Sequence, residues 1–463
     1  MSTKSISGEQ SEDRSESAKE KKNIIVVGLQ SGTLLSSLLL RSSSFPHHTH
    51  RIIGIDERTV AYWSIGSLRA ATVPGWEEKV VGSFGLGTSG IFGRWGELKR
   101  KGEGDHVLLV GWRVEEILWE EKRVRVRNLH PKKSKSTKSS ESSKSPELES
   151  EEAGEEDEEE KLIEWDHLVL CTGSTYPFPC QPDPSSPTNT TRESILSSLR
   201  SLQASISNAH SILLLGGGPV GIEWAGEIKA HHPSKQVTVL SSSASLLPKK
   251  TDPKYDPRFG ERCTASLRQM GIDLILGERA MNVSEDGKTV VTNQGRELQA
   301  DLVLKAYGSA PRSSLLQTSK SDSLDSNSRI KVDEHLRVVG MEEDNVWAMG
   351  DVTSIPELKL ARWAYQHARI VSYNIVTSIS SSSQSQSHSE VRRRKLKTYK
   401  PSFMVQEVSI GPERGHGQIG MFMMAQWLVV WAFCRDLGTK MFRKIWPEPV
   451  NEDEDDARAD AQD

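Results

Sequence analysis

Gly216, Gly218 and Gly221 stand in G-x-G-x-x-G spacing between an apolar run, Ile212 to Leu215, and a helical pattern that continues to Lys229. Glycines so placed can hold a dinucleotide: the first permits the tight turn after a strand, the second lets the backbone approach a pyrophosphate, and the third lets the helix pack close to the sheet. The helix N-terminus then faces the phosphate charge. A second strand, 236–240, follows about 20 residues on, as such a unit requires. It ends Leu240-Ser241-Ser242-Ser243, without the acid that selects NAD, and Lys249 and Lys250 follow, so NADP is admitted or mildly preferred.

The elements that must position this turn repeat earlier in the chain. Residues 23–28 form a short apolar strand ending on Gly28, a helical run follows over 34–40, and a strand over 51–55 ends at Asp56. A carboxylate there suits a ribose hydroxyl; a solvated turn aspartate is the alternative. The first turn departs from the pattern, because Gly28-Leu29-Gln30-Ser31-Gly32-Thr33 puts Gln30 and Thr33 where the second and third glycines belong. Gln30 is expected to crowd the pyrophosphate and Thr33 to hold the helix off the sheet, with Gly32 relieving part of this by an adjusted turn. Further strands are expected at 107–110, 124–126, 168–170, 237–239 and 301–304, with a return segment from Ile330. Three polar low-complexity stretches, 1–22, 131–160 and 378–389, read as solvated tails or loops.

A chain of 463 residues with 35% hydrophobic content can build two or three cores. Its net charge of -4 and lack of a large basic patch give no drive toward nucleic acid. Cys171, Cys180, Cys263 and Cys434 form neither a C-x-x-C pair nor a metal-ligand cluster, so no redox dithiol and no metal site are expected. The polar start has no secretory core and no glycine for N-myristoylation, which predicts a cytoplasmic protein.

Several separated motifs carry a resemblance to the pyridine-nucleotide flavoprotein oxidoreductases, and within them to the apoptosis-inducing-factor-like group. They are Ile55-Asp56 with Gly66-Ser67-Leu68-Arg69-Ala70-Ala71, Leu170-Cys171-Thr172-Gly173-Ser174, the turn at Gly216, Lys305-Ala306-Tyr307-Gly308-Ser309, and Val346 through Gly350-Asp351-Val352. A further match joins Tyr399-Lys400-Pro401, Gly415-His416-Gly417-Gln418 and Arg435-Asp436-Leu437. The resemblance implies an α/β protein with two Rossmann-like dinucleotide-binding domains and a C-terminal α/β segment, binding FAD and NAD(P)H. Its implied layout is a FAD-binding domain over 23–200 and 330–377, an NAD(P)-binding domain over 201–329, a C-terminal segment over 392–447 and an acidic tail over 448–463.

As site residues it implies Gly28, Gly32, Asp56, Arg69, Thr172, Gly173, Gly308, Gly350 and Asp351 beside the nucleotides, with Gly216, Gly218 and Gly221. The Asp351 carboxylate would accept a ribityl hydroxyl. Lys359 would set a cation near the flavin, against the alternative of a solvated lysine, and Glu223 would reach the nicotinamide, against that of a helix-N-terminal carboxylate. His367 reads as an ordinary helix histidine, against the alternative of a flavin contact.

With no dithiol, reduced flavin must hand electrons outward, and the resemblance points to a quinone or oxygen as acceptor. Residues 419–434 are apolar nearly all round but shorter than the ~20 residues of a spanning helix, so a core helix is expected, with a peripheral, monotopic membrane contact as the alternative. The rival to an NAD(P)H oxidoreductase is a non-enzymatic nucleotide-binding or signalling protein whose altered Gly28 turn has lost flavin.

Overall fold

The computed structural model describes residues 21–84, 106–131, 159–182, 189–249, 255–383, 395–401 and 403–446. Most of the polar tails and of the 131–160 insertion therefore lie outside the described residues, as does Lys250.

Two parallel sheets carry the chain. The first runs in the order Val346–Ala348, His167–Leu170, Lys22–Val27, His50–Asp56, Val107–Val110, and the second in the order Ile272–Leu276, Gln236–Ser241, Ser211–Leu215, Leu302–Lys305. In each, the strand before a glycine turn lies between its sequence successor and a strand from much later in the chain. That reversal opens a crevice at the carboxyl end of the strand, where α/β sheets bind ligands. The apolar runs read from the sequence are these central strands, which are buried on both faces.

Helices cover one face of each sheet. In the first unit Leu29–Arg41 packs against Ala361–Ser383 through Leu35, Leu39, Val371 and Ile375. An antiparallel sheet of Trp112–Leu118, Arg123–Asn128 and Glu160–Glu164 covers the other face. The 131–160 insertion thus falls between two strands of a surface sheet. In the second unit Pro219–His231 and Pro257–Gln269 supply the helical layer.

The C-terminal strands Val405–Ser409 and Gly415–Ile419 dock on Pro219–His231, where a Cβ on Gly226 would lie 2.6 Å from Ile410 Cα. A two-residue antiparallel pairing, Ser174–Thr175 with Ala310–Pro311, straps the two units together.

Three elements differ from expectation. Helix Ala361–Ser383 runs into the serine stretch, because Ser380 and Ser381 donate back to the carbonyls of Val376 and Thr377 and satisfy their hydroxyls within the helix. The 200/201 boundary falls inside helix Arg192–Asn208, which packs its Ile195, Leu196 and Leu199 with residues of the first unit. Residues 419–434 do not form one core helix. Gly420, at φ +55°, turns the chain into a two-residue strand, followed by the short helix Gln426–Val429 and the π-helical turn Val430–Cys434.

Candidate active site

The two glycine turns are built alike. Gly28 N–H donates to Ile55 O and Gly216 N–H to Leu240 O, both at 2.8 Å, while the carbonyls of Val27 and Leu215 accept from Cys171 and Ala306, again at 2.8 Å. Both glycines have positive φ, +91° and +127°. A Cβ on Gly28 would meet Cys171 O at 2.5 Å, and one on Gly216 would meet Ala306 O at 2.7 Å, so the neighbouring strand excludes any side chain at either place.

The second turn then follows the glycine logic fully. A Cβ on Gly221 would stand 1.8 Å from Gly216 O, whereas Gly218 has open space around it, free for a ligand. The first turn reaches the same end differently. Its helix starts at Leu29, directly after the turn, and Gly32 is the residue of closest approach to the sheet, its absent Cβ 2.6 Å from Val26 Cγ1. Thr33 does not hold the helix away; its hydroxyl bonds to Leu29 O within the helix. Gln30 lines the cleft, but its Oε1 accepts from Tyr62 N–H at 3.2 Å, which ties the side chain to the wall.

The Gly28 turn and the start of helix Pro219–His231, through Pro219 and Val220, open on one continuous cleft of about 2720 Å³. That is well above the roughly 300–1,000 Å³ of a single small-ligand pocket, so two extended molecules can lie in it together. Gly28, Asp56, Thr172, Gly173, Glu223, Gly350, Asp351 and Lys359 all line it. Gly32, Gly216, Gly218 and Gly221 are not among its lining residues, nor are Arg69 and Gly308. Arg69 is sealed inside, bidentate on Glu227 at 2.6 and 2.7 Å and donating to the carbonyls of Cys434 and Arg435, so it is committed to packing and cannot reach a nucleotide. Gly308 is exposed, at the turn after Leu302–Lys305, with φ +95°.

Asp56 is engaged by its own chain: Oδ2 accepts from Leu29 N–H at 2.7 Å and Oδ1 from Arg58 N–H at 3.0 Å. Its neighbour Glu57 faces the cleft between Arg312, at 2.7 Å, and Arg113, at 3.1 Å. Burial raises the Glu57 pKa, but the Arg312 guanidinium, followed by those of Arg113 and Arg58, outweighs it and holds the group below the usual glutamate value. Arg312 belongs to the strap between the units. Its N–H donates to Gly173 O at 2.9 Å, and its carbonyl accepts from the Thr172 hydroxyl at 2.5 Å. Neither Glu57 nor Arg312 is marked by a local motif, although each lies within four residues of one that was quoted.

Around the turn Gly350–Val352, Asp351 Oδ2 accepts from Tyr176 O–H at 3.2 Å, and burial raises its pKa against the pull of Lys359. Lys359 precedes helix Ala361–Ser383 and donates Nζ to the carbonyls of Thr353 and Ile355 at 2.8 and 2.9 Å. Burial first, then Arg329, lowers its pKa to about 8. His367 is more than a helix histidine. It is buried, accepts Gly350 N–H at Nδ1 (3.1 Å), and sets Nε2 2.9 Å from Glu357, whose other oxygen takes the Tyr399 hydroxyl at 2.6 Å. It therefore fixes the turn on which Asp351 stands.

Glu223, in the first turns of helix Pro219–His231, accepts Ser409 N–H at 3.2 Å from the C-terminal sheet. Burial pushes its pKa up to about 8, with the Ser409 bond opposing. At neutral pH it is a carboxylic acid able to donate a hydrogen bond. Between the ordinary glutamate value and about 8 the folded chain holds a proton that the unfolded chain releases. Its contribution to stability is therefore complete below that window and is lost as pH rises through it. Glu223→Gln should flatten the fall in Tm from about pH 5 to about pH 8. A wild-type Tm with the same slope as the variant's would contradict the assignment.

All four cysteines are free and buried, and the described residues hold no cluster of three or more His, Cys, Asp or Glu able to bind a metal. No described helix is long and apolar enough to cross a membrane.

Comparison with known proteins adds the following. The family described as pyridine nucleotide-disulphide oxidoreductase matches residues 22–368. Human (Homo sapiens) ferroptosis suppressor protein 1 is 31% identical over 282 residues, covering 59% of this chain and 70% of that protein. Apoptosis-inducing factor homolog A of Dictyostelium discoideum is 28% identical over 282 residues, 56% of this chain and 64% of its own. The water-forming NADH oxidase from Lactobacillus brevis, in a structure bound to NADH, shares the fold at a TM-score of 0.54 and 19% identity, with 77% of this chain and 70% of that one covered.

Proposed function

The chain belongs to the pyridine nucleotide-disulphide oxidoreductase family as an FAD-dependent NAD(P)H oxidoreductase, and from that premise we propose that it passes electrons to a quinone-type acceptor entering on the C-terminal side of the cleft. The observation that carries the proposal is the shared cleft: the Gly28 turn and the start of helix Pro219–His231 stand at one part of its wall, and Phe403, Val405 and Phe433 of the C-terminal segment at another. FAD, when bound, supplies the redox centre between the nicotinamide and the acceptor.

The chain's own residues fit both cofactors. The open backbone at Gly218 and the N-terminus of Pro219–His231 suit one pyrophosphate, and the Gly28 turn with Leu29–Arg41 suits the other. In this account neutral Glu223 hydrogen-bonds the nicotinamide amide, and Asp351, oriented by Tyr176, takes a ribityl hydroxyl. Lys359 places positive charge beside the flavin, where it favours an anionic ring. Glu57, held by Arg312 and Arg113, takes the adenylate ribose in place of the committed Asp56. The apolar C-terminal residues keep water from the reacting edge. The acid-free end of Gln236–Ser241 supports use of NADPH at least as readily as NADH.

Asp351→Ala should lower FAD occupancy of the purified protein about tenfold or more, by loss of a half-buried acceptor. Unchanged flavin content would remove the assigned role. The acceptor is tested by anaerobic NADPH oxidation with short-chain ubiquinone analogues. We expect turnover that depends on quinone concentration; no quinone-dependent turnover from a flavin-loaded protein would rule the acceptor out.

A further inference from the structure

Glu357 and Lys359 stand two residues apart in the wall of the cleft, gathered on one carbonyl: Ile355 O accepts Glu357 N–H at 2.8 Å and Lys359 Nζ at 2.9 Å. The Glu357 carboxylate is engaged elsewhere. Its Oε1 lies 2.9 Å from His367 Nε2 and its Oε2 accepts the Tyr399 hydroxyl at 2.6 Å, with the Glu357 and His367 side chains only 5% and 1% exposed. Because His367 Nδ1 accepts Gly350 N–H, the imidazole carries its proton on Nε2 and is neutral, so it holds the carboxylate without cancelling its charge.

The other half of this clamp comes from a separate stretch of chain, residues 395–401. Tyr399 N–H donates to Glu334 O at 2.7 Å and Lys397 N–H to Asn374 Oδ1 at 2.7 Å, and the Tyr399 ring stands edge-on to His367 with centroids 4.3 Å apart. Burial and Glu357 raise the Tyr399 pKa, so its hydroxyl remains a donor.

The charges around Lys359 give the clamp its consequence. Burial and Arg329 work against the ammonium, while Asp351, Glu357 and Asp325 support it. Burial works against the charge of Asp351 in turn. Glu357, on the same turn of chain as Lys359, is therefore the carboxylate best placed to hold the cation.

We propose that Glu357 sets the charge of Lys359 at the flavin, and that the His367–Tyr399 clamp keeps the two from closing into an ion pair, so that the positive charge stays beside the cofactor. Glu357 is then a positioning residue that acts through Lys359. The proposal rests on the placing of Lys359 beside the flavin in the preceding section.

The test is a pH titration of the flavin absorption band in the FAD-loaded full chain, because a charge gained or lost beside the ring moves the band. In the wild type the band should move at about pH 8, and Lys359→Gln should remove that transition. Glu357→Gln keeps the shape of the side chain and should bring the transition down by about one pH unit, since an ammonium with less negative charge nearby releases its proton sooner. Tyr399→Phe should bring it up by about half a unit, because the freed Oε2 takes Lys359 as its partner. Both variants lose buried hydrogen bonds and some Tm, but opposite movements of the transition are not produced by loosened packing alone.

A wild-type band as insensitive to pH as that of Lys359→Gln puts the lysine away from the flavin and removes that reading together with the proposal. A transition that Lys359→Gln abolishes but Glu357→Gln leaves in place overturns the proposal alone. So does a Tyr399→Phe transition that stays at the wild-type pH or moves down with that of Glu357→Gln.

Discussion

Arg69→Ala is expected to destabilise the protein by about 3–5 kcal/mol, the range for removing one partner of a buried ion pair. Both side chains are sealed from solvent, Arg69 at 1% and Glu227 at 0% exposure. Deleting the guanidinium leaves a carboxylate inside with its two strongest donors gone. The carbonyls of Cys434 and Arg435 lose their bonds as well, so the C-terminal segment loosens from both nucleotide units. Urea unfolding measures this directly. The double change Arg69→Met with Glu227→Leu should recover much of the loss, because an apolar pair of similar volume replaces the charges. A single-variant effect under about 1 kcal/mol, the scale of a solvent-exposed pair, would contradict the buried latch.

Gly221→Ala should abolish NAD(P)H binding, weakening it about a hundredfold or more, while FAD is retained. The added methyl would lie 1.8 Å from Gly216 O, a backbone atom that cannot swing aside, so helix and turn must part. The Gly28 turn belongs to the other sheet and is untouched. Gly218→Ala separates the two causes of loss. Its Cβ meets nothing within 4 Å, so the fold should keep its Tm while the pyrophosphate is crowded out. Titration of flavin-loaded protein with the non-reducing NADP⁺ reports both. An unaltered Kd in Gly221→Ala would show that the dinucleotide does not lie on this turn.

The second nucleotide unit was legible because its information is local. Strand, glycine spacing and helix all fall within residues 211–231, and the turn follows from them. The first unit was legible as a strand and a turn, but not in its packing. Which glycine approaches the sheet depends on where the helix begins, and the start at Leu29 moved that role to Gly32. Arg69 was misplaced for the opposite reason: its partner lies 158 residues away, and nothing near Ser67 signals a carboxylate at Glu227. The same distance hid Arg312 from Glu57 and Tyr176 from Asp351. In residues 419–434 the composition was read correctly, yet an apolar run has no direction in it. Only the turn at Gly420 and the short elements after it determine which side chains face water.

The central claim is that one cleft holds two nucleotides close enough for electrons to pass between them. Anaerobic addition of NADPH to the purified, FAD-reconstituted protein tests it most directly. Stoichiometric bleaching of the flavin band, lost in Gly221→Ala, is the predicted result. Flavin that stays oxidised under excess NADPH and excess NADH, in a protein shown to bind both nucleotides, would contradict it.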